Sequence, residues 1–485
     1  MQKKSMGKDM VVLSASRITS YAISLIGTMI LARFRTLSEY GTYSQLLLVI
    51  NLFTSFLSLG LPSCLNYFLA RADSREERNR FLSIYYTLNT LIGLVIGVGL
   101  VIALPVIESY FKNQQIGTFW LFLLVYPWAN IIAQSVENLL VAHKRTDYLS
   151  VYRIAHSISV VFTICFVEFA GLSFAAYVYI YLAVEACFAI AIYLLAIKLD
   201  GFFKFRLDFG KIKEILVFAI PLGLATAVGT INQEMDKLMI GYLFSTDEYA
   251  IYANAAKELP IKFIATSVTA VLLPVIARLL KDKDEHGAVR LWKEATSISF
   301  LINCYFAIAL SVFSREAIVF LYSEKYAAGA MVFSLYSLVL LFRSTYFGMI
   351  LQSSGKTKKI LLNSIFTISI NCVGNIVFYF LFGFSGPAIS TVLALAWSSG
   401  FQLFLTAKQL KMSIRDIFPW KNIAIILGAN LVLGCVFVAA QKLLPLERIV
   451  GNEWEAILLA MVWFGLYLFV FRNFIKKKAA VLRSY

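Results

Sequence analysis

Residues 218–265 read FAIPLGLATAVGTINQEMDKLMIGYLFSTDEYAIYANAAKELPIKFIA. The first half is apolar enough to enter a bilayer, yet Asn232, Asp236 and Lys237 fall within two of its turns. A short polar turn follows, and a second apolar segment contains Lys257. A charge at the bilayer centre costs about 2.5–3.5 kcal/mol on insertion scales unless it faces a partner or water. The stretch therefore predicts two membrane helices that border a hydrated cavity.

The composition indicates a membrane protein. Hydrophobic residues make up 60% of the 485 residues and charged residues 15%, and the mean hydropathy is +0.76. A soluble domain of this composition would expose too much apolar surface. The six cysteines lie in apolar segments without a CxxC pair, and the three histidines are scattered on or near the predicted cytoplasmic side. We therefore expect no metal, no cofactor and no catalytic dyad, and hence no enzyme.

Apolar segments long enough to cross the ~30 Å hydrocarbon core recur along the whole chain. The narrowest separations fall at Gly171 and at residues 383–385. We predict an all-α polytopic membrane protein with about fourteen transmembrane helices, at residues 11–32, 43–69, 81–105, 117–142, 149–170, 173–197, 214–240, 250–277, 291–312, 327–351, 360–381, 383–407, 422–441 and 455–471.

The basic residues orient these spans. Thirty-one of the 44 Lys and Arg residues fall in the termini and loops of one side, and seven fall on the other. The positive-inside rule places the first set, with both termini, in the cytoplasm. The net charge of +16 is thus spread over short loops beside anionic membrane lipids and does not indicate a nucleic-acid partner.

Two similar halves are visible in the sequence. SEYGTY at residues 38–43 parallels DEYAIY at residues 247–252, an offset of 209 residues. Both copies would start in the cytoplasm and contain six helices, which makes them parallel repeats of a two-lobed transporter. The predicted division is an N-lobe (1–210), a C-lobe (211–410), and two extra helices with a basic tail (411–485). Parallel repeats of this kind enclose a central cavity.

Charged and polar residues inside the predicted spans are the candidates for lining that cavity. For Arg17, Arg153 and Lys237, snorkelling to a nearby helix end is the alternative. A cavity with excess cations would attract a phosphate, a pyrophosphate or an acidic sugar. The cationic candidates are Arg17, Arg153, Lys237, Lys257 and Arg343; Asn232, Asp236 and Glu137 are candidates for a polar or ion-coupling role, and Tyr21, Tyr252, Tyr305, Tyr346 and Trp397 for stacking on sugar rings.

The chain resembles the Wzx-type flippases, polysaccharide transporters of the MATE-like superfamily. The resemblance rests on residues 14–71 (SASRITSYAISLIGTMILARFRTLSEYGTYSQLLLVINLFTSFLSLGLPSCLNYFLAR) and residues 220–257 (IPLGLATAVGTINQEMDKLMIGYLFSTDEYAIYANAAK). It implies alternating-access transport of an undecaprenyl-pyrophosphate-linked oligosaccharide across the bacterial cytoplasmic membrane, for surface polysaccharide biosynthesis. It further implies cavity cations on the pyrophosphate, H⁺ or Na⁺ as a coupling ion, and a polysaccharide polymerase as a downstream partner.

Other readings stay open at this point. A peptidoglycan-precursor flippase or a cation-coupled multidrug exporter would share the fold, although a drug exporter would favour an acidic cavity. A membrane-embedded polymerase or ligase would need a large outer loop with catalytic Arg or His. The predicted outer loops are short and contain no histidine.

Overall fold

The computed structural model describes residues 2–257, 259–443 and 451–483. Within these ranges the protein is almost entirely helical and contains no strand. Glu258, which belongs to the opening stretch, lies outside the described residues, as does the side chain of Lys262.

The helices follow one another with short connections. Those of the first half are α1 (Gln2–Phe34), α2 (Leu37–Leu57), α3 (Leu61–Arg71), α4 (Arg75–Ile102), α5 (Leu104–Phe111), α6 (Trp120–Ala142), α7 (Thr146–Phe169) and α8 (Phe174–Asp200). The second half comprises α9 (Phe209–Leu243), α10 (Thr246–Ala255), α11 (Lys262–Lys281), α12 (Glu285–Val312), α13 (Ser314–Tyr322), α14 (Ala330–Phe342), α15 (Met349–Ser353), α16 (Thr357–Phe382) and α17 (Gly386–Leu410). The chain continues with α18 (Ile414–Ile417), α19 (Trp420–Leu443) and α20 (Asn452–Arg483).

These helices form a multi-span membrane protein. Ten segments of the described chain are long and apolar enough to cross a membrane, or up to eleven when the bent helix α9 is included. One of the ten, Thr357–Leu410, contains both α16 and α17. The polytopic all-α class is thus confirmed, whereas the count of fourteen spans stays a prediction.

The repeat extends to helix boundaries and caps. Helices α4 and α12 begin 210 residues apart, as do α6 and α14. Thr36 caps α2 through a reciprocal pair of bonds with Glu39, and Ser245 makes the same pair of bonds with Glu248 before α10. Such a capping box satisfies two backbone donors that the first helical turn would leave without partners. The SEYGTY and DEYAIY motifs are therefore helix starts.

Three predicted spans are not single continuous helices. The span predicted at 43–69 divides at Gly60, whose φ of +72° ends α2 and precedes Pro62 at the start of α3. The span predicted at 250–277 stops at Ala255 and resumes at Lys262, on either side of Pro260. The span predicted at 327–351 stops at Phe342. Glycine at positive φ and the missing N–H of proline explain the first two breaks.

The chain packs as two compact units, residues 1–250 and 251–485. Helix α9 packs against α2 and α3 in the first unit. A Cβ atom on Gly60 would lie 2.4 Å from the backbone nitrogen of Gly223, so these backbones approach too closely for a larger residue. The lobe boundary at 210/211 follows the sequence repeat and stays a prediction.

Each unit has its own core. In the first, α4 crosses α6 at Gly93 and Gly97, where added Cβ atoms would lie 2.6 Å from Trp128 Cα and 2.0 Å from the Leu124 carbonyl oxygen. Small residues at this spacing let membrane helices approach closely. In the second unit, α12 packs against α14, α19 and α20.

Candidate functional site

A cluster of charges joins three helices of the first unit. Both Arg17 on α1 and Arg153 on α7 donate to the carboxylate of Glu137 on α6, one to each oxygen. The side chains of Arg17 and Glu137 are 50% and 38% exposed, whereas that of Arg153 is 15% exposed. Two guanidinium groups on one carboxylate leave an excess positive charge that solvent can reach.

Helix α6 also carries a polar stripe. Asn130, Gln134, Glu137 and Asn138 recur at the i, i+4, i+7, i+8 spacing of one helix face. Gln134 Nε2 donates to Asn130 Oδ1 at 2.7 Å, and Asn138 Nδ2 donates to the Pro62 carbonyl at 2.8 Å. The charge cluster is therefore one part of a longer polar surface in the first unit.

A cavity of about 440 Å³ lies beside this stripe. Its most buried polar group is Glu185 on α8, whose Oε1 lies 3.0 Å from Nε2 of His156 on α7. Glu185 is 6% exposed, and His156 side-chain exposure is 30%. The cavity is lined by Asn51, Tyr126, Asn130, Ala133, Gln134, Tyr152, His156, Tyr181 and Glu185.

The polar residues of α9 are held largely by their own helix. Lys237 Nζ donates to Glu234 Oε2 at 2.7 Å, and Asp236 Oδ1 accepts from the backbone N–H of Lys237 at 2.9 Å. Asp236 is buried, and Asn232 lies one turn before it on the same face. The i, i+3 spacing on one helix brings Glu234 and Lys237 together.

Two further cationic candidates meet in the second unit. Lys257 follows the end of α10, and Arg343 caps the end of α14. Both line a narrow cleft of about 10 Å³ together with the hydroxyl residues Tyr336 and Ser337. Arg343 was expected in the middle of a continuous span; it lies instead where the helix stops. None of the described residues that line the cleft is acidic.

His143 belongs to a separate polar group at the helix ends predicted to be cytoplasmic. Its Nδ1 lies 2.8 Å from the Leu139 carbonyl and its Nε2 lies 2.6 Å from Asp200 Oδ2, while Arg78 Nε donates to Asp200 Oδ1 at 2.9 Å. A carbonyl and an ionised carboxylate both accept, so this geometry favours the doubly protonated imidazole. The hydrogen bond to Asp200 raises the pKa of His143.

The structure brings some sequence candidates together and adds others. Arg17, Arg153 and Glu137 meet, and Lys257 and Arg343 line the same cleft. Two aromatic candidates, Tyr252 and Tyr305, are buried in packed interior and line neither the 440 Å³ cavity nor the narrow cleft. The tyrosines and amides that line the 440 Å³ cavity were not candidates from the sequence, although the stripe on α6 follows a helical period. The described residues contain no group of three potential metal ligands.

Comparisons with known proteins agree with this architecture. The family described as "Polysaccharide biosynthesis protein" matches residues 30–329. The capsular polysaccharide biosynthesis protein CapF of Staphylococcus aureus is 27% identical over 153 residues, or 31% of this chain and 38% of CapF. The alignment thus spans less than half of that relative.

Solved structures show the fold. The lipid II flippase MurJ in an inward closed conformation has a TM-score of 0.76 at 17% identity, over 96% of this chain and all of MurJ. An inward-facing multidrug resistance MATE family transporter of the MOP superfamily has a TM-score of 0.63 at 14% identity, over 82% of this chain and 95% of the transporter. The predicted MATE-like fold is confirmed.

Proposed function

The chain belongs to the polysaccharide biosynthesis protein family and has the fold of MOP-superfamily flippases, and from this premise we propose that it flips a lipid-linked oligosaccharide. In this proposal the cargo carries undecaprenyl pyrophosphate and moves by alternating access from the inner to the outer leaflet of the bacterial cytoplasmic membrane. A polymerase outside the membrane would use the product. The chain would act as a transporter and not as an enzyme.

The observation that carries the proposal is the cluster of Arg17, Glu137 and Arg153. A guanidinium fork matches a phosphate as well as it matches a carboxylate. An incoming pyrophosphate can therefore exchange with Glu137 on the two arginines, and the excess charge of the cluster favours the anion. Glu137 holds the arginines in place when the site is empty and competes with the cargo when it is occupied.

The position of the cluster fits a headgroup that enters from the cytoplasmic leaflet. Arg153 lies seven residues after the first residue of α7, or ~10 Å along the helix. Glu137 lies five residues before the end of α6, or ~7.5 Å from that end. The charge pattern predicts both of these helix ends to be cytoplasmic. The cluster would thus meet the pyrophosphate just below the inner headgroups.

The remaining candidates take supporting roles in the proposal. Lys257 and Arg343 line one narrow cleft in the other unit, and in this proposal they add positive charge to the path of the anionic cargo. Asn232, Asp236 and Lys237 form a polar group on α9 that suits coupling to H⁺ or Na⁺ better than binding a large anion, because Lys237 is already paired with Glu234. Glu137 is assigned to the anion site.

The test uses a bacterial strain that lacks its own polysaccharide flippase and accumulates lipid-linked repeat units. Expression of this protein should restore surface polymer and lower the inner pool. Arg17→Gln and Arg153→Gln should each reduce export at least tenfold at normal membrane levels. Arg315→Gln is the matched control, because Arg315 pairs with Glu324 at an exposed position of the second unit.

Two outcomes would contradict the proposal. One is an inner pool that does not fall when the wild-type protein is expressed. The other is export by both arginine variants at the wild-type rate. A peptidoglycan-precursor flippase would also bind pyrophosphate, and the fold likeness to MurJ keeps that function as the alternative. Rescue of a strain depleted of its lipid II flippase, without rescue of polymer export, would establish the alternative.

A further inference from the structure

We propose that the 440 Å³ cavity of the first unit is a carbohydrate-binding subsite, which holds the sugar next to the pyrophosphate. The inference rests on the proposed function, since it assigns the part of the cargo that the charge cluster does not bind. It stands on the lining, the position and the size of the cavity.

The lining combines aromatic faces with neutral hydrogen-bonding groups. Tyr126 and Tyr181 place their hydroxyl groups 3.2 Å apart, and Tyr152 stacks on the ring of His156 at a centroid distance of 6.3 Å. Aromatic faces pack against the C–H faces of pyranose rings. Phenol and amide groups both donate and accept, as sugar hydroxyls require. Apart from the paired Glu185 and His156, the wall is uncharged, and its aromatic faces and amides suit a polyol.

Several of these groups have unused hydrogen-bonding capacity. Glu185 Oε1 is bonded to His156, but Oε2 accepts no hydrogen bond from the described residues. The same holds for Gln134 Oε1, while Gln134 Nε2 donates to Asn130. A ligand that offers hydroxyl groups at several angles would meet both acceptors. The buried carboxylate, held in place by His156, is the strongest of them.

On both α6 and α7, a residue that lines the cavity lies about one helical turn from a residue of the charge cluster. On α6, Gln134 precedes Glu137 by three residues, and on α7, His156 follows Arg153 by three residues. Because α6 and α7 run in opposite directions, both steps lead away from the predicted cytoplasmic ends. One turn is ~5 Å, and the first sugar is bonded directly to the pyrophosphate, so neighbouring sites are what the cargo requires. A lipid-linked cargo would thus place its first sugar in this cavity.

The size of the cavity also fits a sugar. Small-molecule pockets in proteins measure about 300–1,000 Å³, and the 440 Å³ found here falls in that range. A proton or a sodium ion would need a few ligands around a space of atomic size. Neither ion accounts for three tyrosines and three side-chain amides around one cavity.

The experiment measures sugar binding without the lipid and without the pyrophosphate. The purified full-length protein in lipid nanodiscs is titrated with free saccharides, which represent hexoses, N-acetylhexosamines, deoxyhexoses and hexuronates, and saturation-transfer NMR detects binding. At least one class should give a signal that falls fivefold or more in Tyr152→Ala and in Gln134→Leu. Phe162→Ala is the matched control, because Phe162 is a 68% exposed aromatic residue on the same helix.

The outcomes separate the subsite from the function. Arg153→Gln should keep the sugar signal and lose the binding of inorganic pyrophosphate. The inference is overturned if none of the saccharides binds, or if Tyr152→Ala and Gln134→Leu bind as the wild type does. In that case arginine-dependent export would still uphold the proposed function. Export that fails in the wild-type protein would refute the function whatever the sugar signal shows.

Discussion

In the proposed function, Glu137 sets the balance between an empty and an occupied anion site. It accepts from Arg17 and Arg153 and therefore competes with any anion for both. We predict that Glu137→Gln tightens the binding of inorganic pyrophosphate roughly three- to tenfold, or ~0.7–1.4 kcal/mol, the size expected for a partly exposed ion pair. Isothermal titration calorimetry on the purified protein measures this change.

The control for Glu137→Gln removes a carboxylate elsewhere. Glu324→Gln breaks an exposed pair with Arg315 and should leave the Kd for pyrophosphate unchanged. A Glu137→Gln variant that binds pyrophosphate as weakly as the wild type, or more weakly, would show that the carboxylate does not compete with the anion.

His143 makes the stability of the first unit depend on pH. Asp200 raises the pKa of His143 above its ordinary value of ~6.5. A group with a raised folded-state pKa stabilises fully below the unfolded value, and this stabilisation is lost as the pH rises through the folded value. We predict that the midpoint temperature of unfolding falls as the pH rises from ~6.5 through the raised folded-state pKa of His143, and that it falls less in His143→Gln. Thermal unfolding across this pH range is the measurement.

An exposed histidine serves as the control for that titration. His286→Gln removes an imidazole from a solvent-exposed position of the second unit and should keep the wild-type pH dependence. If His143→Gln loses stability over the same pH range by the same amount as the wild type, the hydrogen bond between His143 and Asp200 does not cause the pH dependence of stability.

At the residue scale, the sequence predicted which charged residues are candidates better than it predicted the residues that they contact. A cation inside an apolar span is visible in one dimension, so Arg17, Arg153 and Arg343 could be singled out. Their contacts depend on which helices meet, and nothing in the sequence joined Arg17 to Glu137 across 120 positions. The uncharged residues of the cavity were not singled out because tyrosine, asparagine and glutamine carry no charge to mark them as costly in a membrane.

Helix α4 approaches α6 only because two of its glycines have no side chain. A Cβ atom on Gly97 would lie 2.0 Å from the Leu124 carbonyl oxygen, whereas one on Gly99 would meet nothing within 4 Å. We predict that Gly97→Ala lowers stability by about 1–3 kcal/mol through overpacking. Gly99→Ala should be neutral or slightly stabilising, because alanine favours helix. Fluorescence-detected thermal unfolding compares the two.

The pair of variants decides between packing and helix propensity. Both replace glycine by alanine on one helix, two residues apart, so propensity alone predicts the same sign for both. Equal stability of Gly97→Ala and Gly99→Ala would mean that α4 and α6 do not pack as closely as described.

At the element scale, helix starts were easier to predict than helix continuity. The repeated SEYGTY and DEYAIY motifs marked two corresponding starts, which the structure shows as matching capping boxes. The breaks at Gly60 and Pro260 were read as continuous apolar spans because hydropathy does not register backbone geometry. A glycine two residues before Pro62 was the available signal for the first break.

At the scale of the whole molecule, the orientation in the membrane rests on the distribution of positive charges. We predict that a cysteine introduced at Gln114 is labelled by a membrane-impermeant maleimide in intact cells, and that one at Glu76 is labelled only after lysis. Both positions are exposed. The background is a variant without the six native cysteines, three of which are exposed. Labelling in the reverse order would invert the topology and the direction of transport.

The fold class followed from composition and repeat, because the length of apolar segments and the offset between halves are properties of the sequence itself. Function followed less directly. A cationic, solvent-reachable cluster narrows the cargo to an anion, and family membership narrows it to polysaccharide biosynthesis. In the proposed function, the choice of sugar would depend on the shape of the cavity whose walls come from α2, α6, α7 and α8.

The most direct test reconstitutes the purified protein in liposomes that contain an undecaprenyl-pyrophosphate oligosaccharide with a fluorescent label on its sugar. An impermeant quencher then follows the fraction of labelled sugar in the outer leaflet. We predict that liposomes with the wild-type protein exchange the label between leaflets at least tenfold faster than protein-free liposomes. Liposomes with Arg153→Gln should not show this faster exchange. Exchange in wild-type liposomes at the protein-free rate, or equal exchange by Arg153→Gln and the wild type, would contradict this prediction.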